Sequence, residues 1–393
     1  MQGAASQVSD PTRAPASWPV RRIPTDPQDG APEQGLALCL SGGGYRAMLF
    51  HVGALWRLNE GGYLPRLDRI SSVSGGSITA GVLGLHWPRL AFDADGVAQR
   101  FGREVVAPLR RLAGVNVDVW ASLRGLFGFG NASAVVIAAY RRYLFGHHTL
   151  QELPDRPRFV INATNVQSGV LWRFSKPYAA DYRVGRLDRP TIELAVAVAA
   201  SAAFPPFLSP VVLTRAPGDL VSETGNDLHC PPYTTRIVLT DGGVYDNLGL
   251  ETAWKRYQTV LVSDGGGHTS AEPRPRRDWL SQSRRVLDLI DSQVRALRKR
   301  QLIEGYQAGL RAGAYWGIRT NIADYGLAET LPCPFDKTKK IAAIPTRLAC
   351  MDSAQQERLI NWGYAVCDAA LRRHVDARLP LPAAFPYPSA GVG

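Results

Sequence analysis

Apolar positions along this chain fall into two alternating patterns. Short continuous runs are closed by glycine or small polar residues. Leu36-Ala37-Leu38-Cys39-Leu40 runs into Ser41 and three glycines, and Ile70-Ser71-Ser72-Val73 runs into Ser74 and two more. Runs of this kind suit strands buried on both faces. Phe159–Ala163, Arg236–Thr240 and Thr259–Ser263 have the same character. Between them lie stretches with helical spacing. Tyr45 to Asn59 places Met48, Val52, Leu55 and Leu58 on one side, and a second helix is expected from Gly75 to about Leu85. Strands alternating with helices predict an α/β sheet flanked by helices.

Two regions depart from that rhythm. From about 91 to 145 the pattern is helical throughout and mixes arginines with Trp120, Leu123, Phe127, Phe129 and Tyr140, which predicts a helical insertion or cap over the sheet edge. Arg284 to Ile303 predicts a strongly amphipathic helix with Val286, Ile290, Val294 and Leu297 on one face. Its other face carries Arg295, Arg298, Lys299 and Arg300, and solvation is the ordinary fate of such a face. The most apolar stretch, Leu194 to Leu213, is interrupted by Ser201, Pro205, Pro206 and Pro210, so it reads as a buried helix and turn rather than a membrane span.

At the ends the composition changes. Residues 1–33 are rich in Pro, Ala, Ser and Asp and cannot offset the entropy of ordering, so they are expected to form a flexible tail. Residues 379–393, with four prolines, are expected to form a second tail or a strap over the surface. One domain is expected from 34 to 378. The first thirty residues contain no apolar core of a secretory signal. The five cysteines are an odd number without paired spacing, so neither a disulfide framework nor a zinc site is expected. Buried free thiols and a cytoplasmic location, with at most peripheral membrane contact, are the resulting expectations.

The chain has 393 residues, 45% of them hydrophobic and 20% charged, which is the composition of a globular protein able to bury a large core. Its formal net charge of +11 favours anionic partners. A nucleic-acid motif is lacking, so an anionic membrane surface is the favoured reading and nucleic acid is not expected.

Three short motifs carry chemistry. Ser41-Gly42-Gly43-Gly44-Tyr45-Arg46 follows a strand and opens a helix, so backbone N–H groups and the helix dipole converge where a phosphate or an oxyanion could sit. A dinucleotide reading through Gly42, Gly44 and Ala47 fits poorly, because Asp68 precedes the next strand instead of ending it. Ser72-Val73-Ser74-Gly75-Gly76 sets a serine at a strand-to-helix turn, where its hydroxyl is held out of the sheet. Ser77 is the rival nucleophile, although it would already lie inside the helix. Asp241, in Thr240-Asp241-Gly242-Gly243, ends a strand and can act as a base, with Asp264 as its competitor.

In that order and spacing, the glycine loop with Arg46, the Ser74 elbow and the Asp241-Gly242-Gly243 turn resemble the patatin-like phospholipase family. Asn162-Ala163-Thr164-Asn165 and Ala199-Ala200-Ser201-Ala202-Ala203-Phe204-Pro205-Pro206 add to the match, which runs from about Leu36 to Leu250. Ser72 departs from the glycine usual at the start of the elbow. The resemblance implies a three-layer α/β/α patatin-type fold with a mostly parallel central sheet. It implies Ser74 as nucleophile, Asp241 as base, and Gly42, Gly43, Gly44 and Arg46 forming or holding an oxyanion hole. It also implies no histidine, calcium or other cofactor, and a phospholipid or other lipid ester as substrate. The alternatives are a Ser–His–Asp esterase using His268, with His374 as a second histidine late in the chain, and a non-catalytic module binding anionic lipid or nucleotide.

Overall fold

Side-chain alternation along β1 (Glu33–Leu40) sets the layering of the molecule. Leu38 and Leu40 enter one core, while Ala37 and Cys39 enter another on the opposite face of the sheet. The computed structural model describes residues 32–117, 132–205, 208–222, 227–267 and 271–393. β1 pairs in parallel with β2 (Arg69–Val73) and β9 (Tyr257–Asp264), β9 with β10 (Ala312–Gly317), and β2 with β3 (Arg158–Asn165). Beyond β3 the sheet, ten-stranded among the described residues, turns antiparallel, through β4 (Val170–Phe174), β5 (Tyr178–Asp181) and β6 (Gly185–Asp188).

β3 also holds a second neighbour on the edge that β2 leaves. β2 runs alongside β3 until Val73 faces Asn162, and β8 (Arg236–Asp241) takes over with Asp241 facing Ala163. β8 is antiparallel to β3, so the C-terminal ends of β2 and β8 meet tail to tail. β7 (Val211–Thr214) closes that edge.

The larger core packs α1 (Gly44–Glu60), α2 (Gly75–His86) and α10 (Ser353–His374) against the sheet. α1 and α10 touch backbone to backbone: a Cβ on Gly53 or Gly363 would overlap a carbonyl of the facing helix. α3 (Ala107–Ala113) and α4 (Ala132–Tyr140) extend this layer, α3 against α1 and α2 and α4 against α5 (Leu194–Ser201). The smaller core lies on the other face. There α7 (Glu251–Trp254) and the C-terminal end of α8 (Trp279–Gln307) bury Ala253 and Leu302 against Val260 and Val262. The fold is thus a three-layer α/β/α sandwich.

The five strands expected from the sequence lie within β1, β2, β3, β8 and β9. The stretch 194–213 splits into α5, a turn and β7, with Pro206 outside the described residues. Of the expected insertion, residues 118–131, with Trp120, Leu123, Phe127 and Phe129, also lie outside them, as do residues 1–31 of the expected N-terminal tail. Glu33, expected in that tail, begins β1. The C-terminal residues are held as a strap. Asn361 Nδ2 donates to the carbonyls of Tyr387 and Gly391, and Arg57 donates to that of Pro380. All five cysteines are free thiols, but Cys230 and Cys350 are exposed where burial was expected. Among the described residues no helix is long and apolar enough to cross a membrane.

Candidate active site

Adjacent parallel strands deliver the first two motifs to one place. Leu40 of β1 is in register with Ser72 of β2, so the glycine loop and Ser74 leave the sheet side by side. Ser74 sits at φ 51° and ψ −118°, a backbone region costly for any side chain but glycine. The glycines around it allow this: a Cβ on Gly75 would overlap the carbonyl of Gly44, and one on Gly76 the carbonyl of Leu40. The Ser74 amide donates to Ser201 Oγ at 2.9 Å, and Ser201 Oγ donates in turn to the Asn162 carbonyl at 2.6 Å. A chain of buried serines thereby pins the turn.

Ser72, the residue that departs from glycine, fits without strain. Its hydroxyl donates to the Val160 carbonyl at 3.3 Å and lies 3.0 Å from Ser77 Oγ. Ser77 is fully buried between Ser72 and Ser201, 2.9 Å from the latter. It is part of the scaffold of the turn.

Asp241 is brought to Ser74 by the tail-to-tail ending of β2 and β8. Its carboxylate accepts a hydrogen bond at 2.7 Å from the Gly243 amide, and the Ser74 side chain faces it closely enough to favour its charged form. Burial raises its pKa to about 7, against the pull of the Gly243 amide and the Ser74 side chain, and the nearby carboxylate of Asp291 adds to the rise. Asp264 differs. Burial would raise it, but the Arg295 cation and hydrogen bonds from the Gly266 amide and Tyr315 hold it below its ordinary value. Its two oxygens are engaged away from Ser74.

The glycine loop turns through φ 143° at Gly43 and 60° at Gly44 and enters α1 without a side-chain cap or a first-turn carboxylate. The amide of Gly42, expected to point at an oxyanion, instead donates to the Asn247 carbonyl at 3.0 Å. Among the described residues nothing engages the amides of Gly43, Gly44 or Gly75. Gly75 was not singled out by sequence reasoning, although it directly follows the elbow serine. Arg46 points away from the loop's amides. Its guanidinium donates to the carbonyls of Gly265, at 3.1 and 3.3 Å, and Ile344, at 2.6 Å. Asn247 is a further neighbour the motifs did not reveal. A Cβ built on Gly42 would lie 3.2 Å from its Oδ1 and 3.2 Å from Ser74 Cβ.

His374 ends α10 with its ring against Tyr325, and His268 lies outside the described residues. Among the described residues no group of three His, Cys, Asp or Glu side chains could hold a metal ion. The assembly can therefore present a serine hydroxyl facing a carboxylate of near-neutral pKa, beside a cluster of amides at a helix N-terminus.

A sequence model of the family described as patatin-like phospholipase matches residues 38–254. No curated protein matches the chain by sequence. Among solved structures, human GIVD cytosolic phospholipase A2 in complex with methyl gamma-linolenyl fluorophosphonate is similar at 15% identity and a TM-score of 0.50, covering 86% of this chain and 57% of that one. Another structure of the human GIVD enzyme matches at 13% identity and a TM-score of 0.37, covering 62% and 49%. VipD from Legionella pneumophila matches at 15% identity and a TM-score of 0.34, covering 87% and 67%. The chain thus spans about half the length of the human enzyme chains.

Proposed function

Because the chain belongs to the patatin-like phospholipase family, we propose that it hydrolyses fatty acyl esters of phospholipids or related lipids through an acyl-enzyme on Ser74, with Asp241 as its base. The observation that carries this reading is the placement of the Ser74 side chain against a buried carboxylate whose pKa is raised to about 7. A carboxylate of ordinary pKa is a weak base toward an alcohol, and burial brings Asp241 into the range where proton transfer is efficient at neutral pH.

In the first half-reaction Ser74 Oγ attacks the ester carbonyl carbon while its proton passes to Asp241. The tetrahedral oxyanion is held by the free amides of Gly43, Gly44 and Gly75, with the α1 dipole behind them. The intermediate collapses, the C–O bond to the leaving alcohol breaks, and Asp241 returns the proton to that oxygen. Water then attacks the acyl-enzyme and gives its proton to Asp241. Collapse of the second intermediate releases the fatty acid and restores the Ser74 hydroxyl. The Gly42 amide has no part in this scheme, and Arg46 is a positioning residue for the loop.

The test is labelling with a fluorophosphonate probe, alongside product analysis on phospholipid. Wild type should label and release free fatty acid, Ser74→Ala should do neither, and Asp241→Asn should fold and lose turnover. Labelling that survives Ser74→Ala would overturn the assignment.

A further inference from the structure

α8 is built inside out. The sequence suggests an apolar face turned inward and a basic face turned to solvent, and the structure reverses this. At 100° per residue, Trp279, Val286, Leu287, Ile290 and Leu297 fall on one third of the helix circumference. That third faces outward: Trp279 is 78% exposed, Leu287 58%, Ile290 54% and Leu297 58%.

Part of the polar face is committed to the protein body, while Lys299 and Arg300 remain exposed. Arg298 pairs with Glu251 at 2.9 Å, and Lys299 lies 4.5 Å from the centre of the Tyr315 ring. Arg295 donates to the Gly267 carbonyl, and Asp291 faces the Asn247 side chain, which favours its charged form. Leu302 and Gly305 anchor the C-terminal end, Gly305 against Trp254. Turning the apolar face inward would break all of these contacts, so the outward orientation is fixed.

An exposed apolar stripe of this size marks a partner surface. Its surroundings identify the partner's chemistry. Arg274, Arg276 and Arg277, all exposed, precede the helix at the end that carries Trp279 and Leu280. Clustered cations beside an exposed tryptophan match the anionic headgroup region of a bilayer. The same cations repel a second copy of a chain with net charge +11. α8 also adjoins the site. It packs on α6 (Gly243–Asp246), which carries the exposed Val244, and its Asp291 faces Asn247 beside Gly42.

We propose that the outward face of α8 is the surface by which this protein docks on anionic lipid, with the helix lying in the headgroup region and the Ser74 site brought to the membrane. This inference deepens the lipid-hydrolase reading and rests on it for the substrate, but its first readout is binding.

The experiment compares full-length wild type with the Leu287→Ser/Ile290→Ser double variant. Flotation on phosphatidylcholine vesicles with and without phosphatidylglycerol is measured beside hydrolysis of a soluble short-chain ester. Wild type should bind the phosphatidylglycerol vesicles, and salt should weaken that binding. The double variant should lose about tenfold or more in partitioning, while its soluble-ester rate stays within about twofold. Arg276→Ser/Arg277→Ser should weaken binding only to the anionic vesicles. Equal vesicle binding by wild type and the Leu287/Ile290 variant would overturn the proposal. So would a wild-type dimer that the same variant dissociates, with vesicle binding unchanged. Altered vesicle binding without soluble-ester hydrolysis by either protein would sink the catalytic reading and leave the docking face standing.

Discussion

Asp241 meets the Ser74 side chain because β2 and β8 end against neighbouring residues of β3, Asn162 and Ala163. The contact takes place inside the protein, and burial holds the carboxyl near pH 7 in place of its ordinary 3.8. Only the ionised carboxylate can take the serine proton. kcat/KM on a soluble ester should therefore rise with pH, reach half its plateau near pH 7, and stay flat above. Asp241→Asn should lower the plateau on the order of 10²–10⁴-fold. A pH–rate profile already flat from about pH 5 would mean that Asp241 titrates at its ordinary value and that burial has not tuned it.

The same carboxyl makes a stability prediction through His51. His51 is fully buried under the glycine loop. Nε2 is 2.9 Å from the Ser41 carbonyl, which can only accept, so Nε2 carries the proton and Nδ1 accepts from Ser263 Oγ at 2.8 Å. Burial lowers its pKa from 6.5 to about 4, against the Ser41 hydrogen bond. Between those values the unfolded chain holds a proton that the folded one lacks, so this group makes stability fall as pH falls. Asp241 has the opposite sign. From 3.8 to about 7 the folded chain holds a proton that the unfolded one has released, so its contribution is lost as pH rises. The two slopes offset each other in wild type. Asp241→Asn removes one of them, so the difference in urea-unfolding free energy between the variant and wild type should grow by about 1 kcal/mol per pH unit between about pH 4.5 and 6.5. The variant should also exceed wild type in stability near about pH 8. Parallel curves for the two proteins would contradict the assignment for Asp241.

Ser201 and Ser77 share one hydrogen-bond chain but should respond differently. Ser201→Ala leaves the Ser74 amide and the Asn162 carbonyl buried without their partner, at a cost of about 1–3 kcal/mol. It loosens the strained elbow, so kcat should fall about tenfold or more with KM little changed. Ser77→Ala removes a hydroxyl held between two others and should keep fluorophosphonate labelling. Labelling lost in Ser77→Ala and kept in Ser74→Ala would exchange their roles.

Much of the site was legible because its parts are local. The strand before Ser41, the strand before Ser74 and the turn at Asp241 each announce themselves within a few residues. The contacts that tune them are not local. Asn247 withdraws the Gly42 amide from the loop through its own carbonyl, and no pattern around Gly42 signals a partner so far along the chain. Asp291 influences Asp241 from a helix that the sequence suggests is turned the other way. That inversion follows from the pairing of Arg298 with Glu251, on α7, which helical spacing cannot reveal. The parallel half of the sheet follows from strand–helix alternation, whereas the antiparallel half is built of strands as short as Tyr178–Asp181, too brief to show a period. α10 escaped notice although Gly363 lets it touch the backbone of α1.

Arg46 separates a positioning role from a direct one. Its guanidinium is buried and its pKa is lowered to about 10, by burial first and then by Arg295 and Arg319, yet it remains charged at neutral pH. It forks to the carbonyls of Gly265 and Ile344. The Gly265 amide in turn donates to Ser41 Oγ at 2.9 Å, so Arg46 and Ser41 grip the same residue from two sides and hold the glycine loop between them. Arg46→Met should lower kcat by about 10- to 100-fold with KM little changed, because the loop amides drift from the oxyanion. Arg46→Lys should lose less, since one ammonium can still reach one carbonyl. Ser41→Ala should act through the same residue. If Arg46 works by gripping Gly265, Arg46→Met and Ser41→Ala combined should cost less in kcat than the product of the two single losses. Multiplicative losses in that double-mutant cycle would mean that Arg46 acts on the reacting oxygen itself.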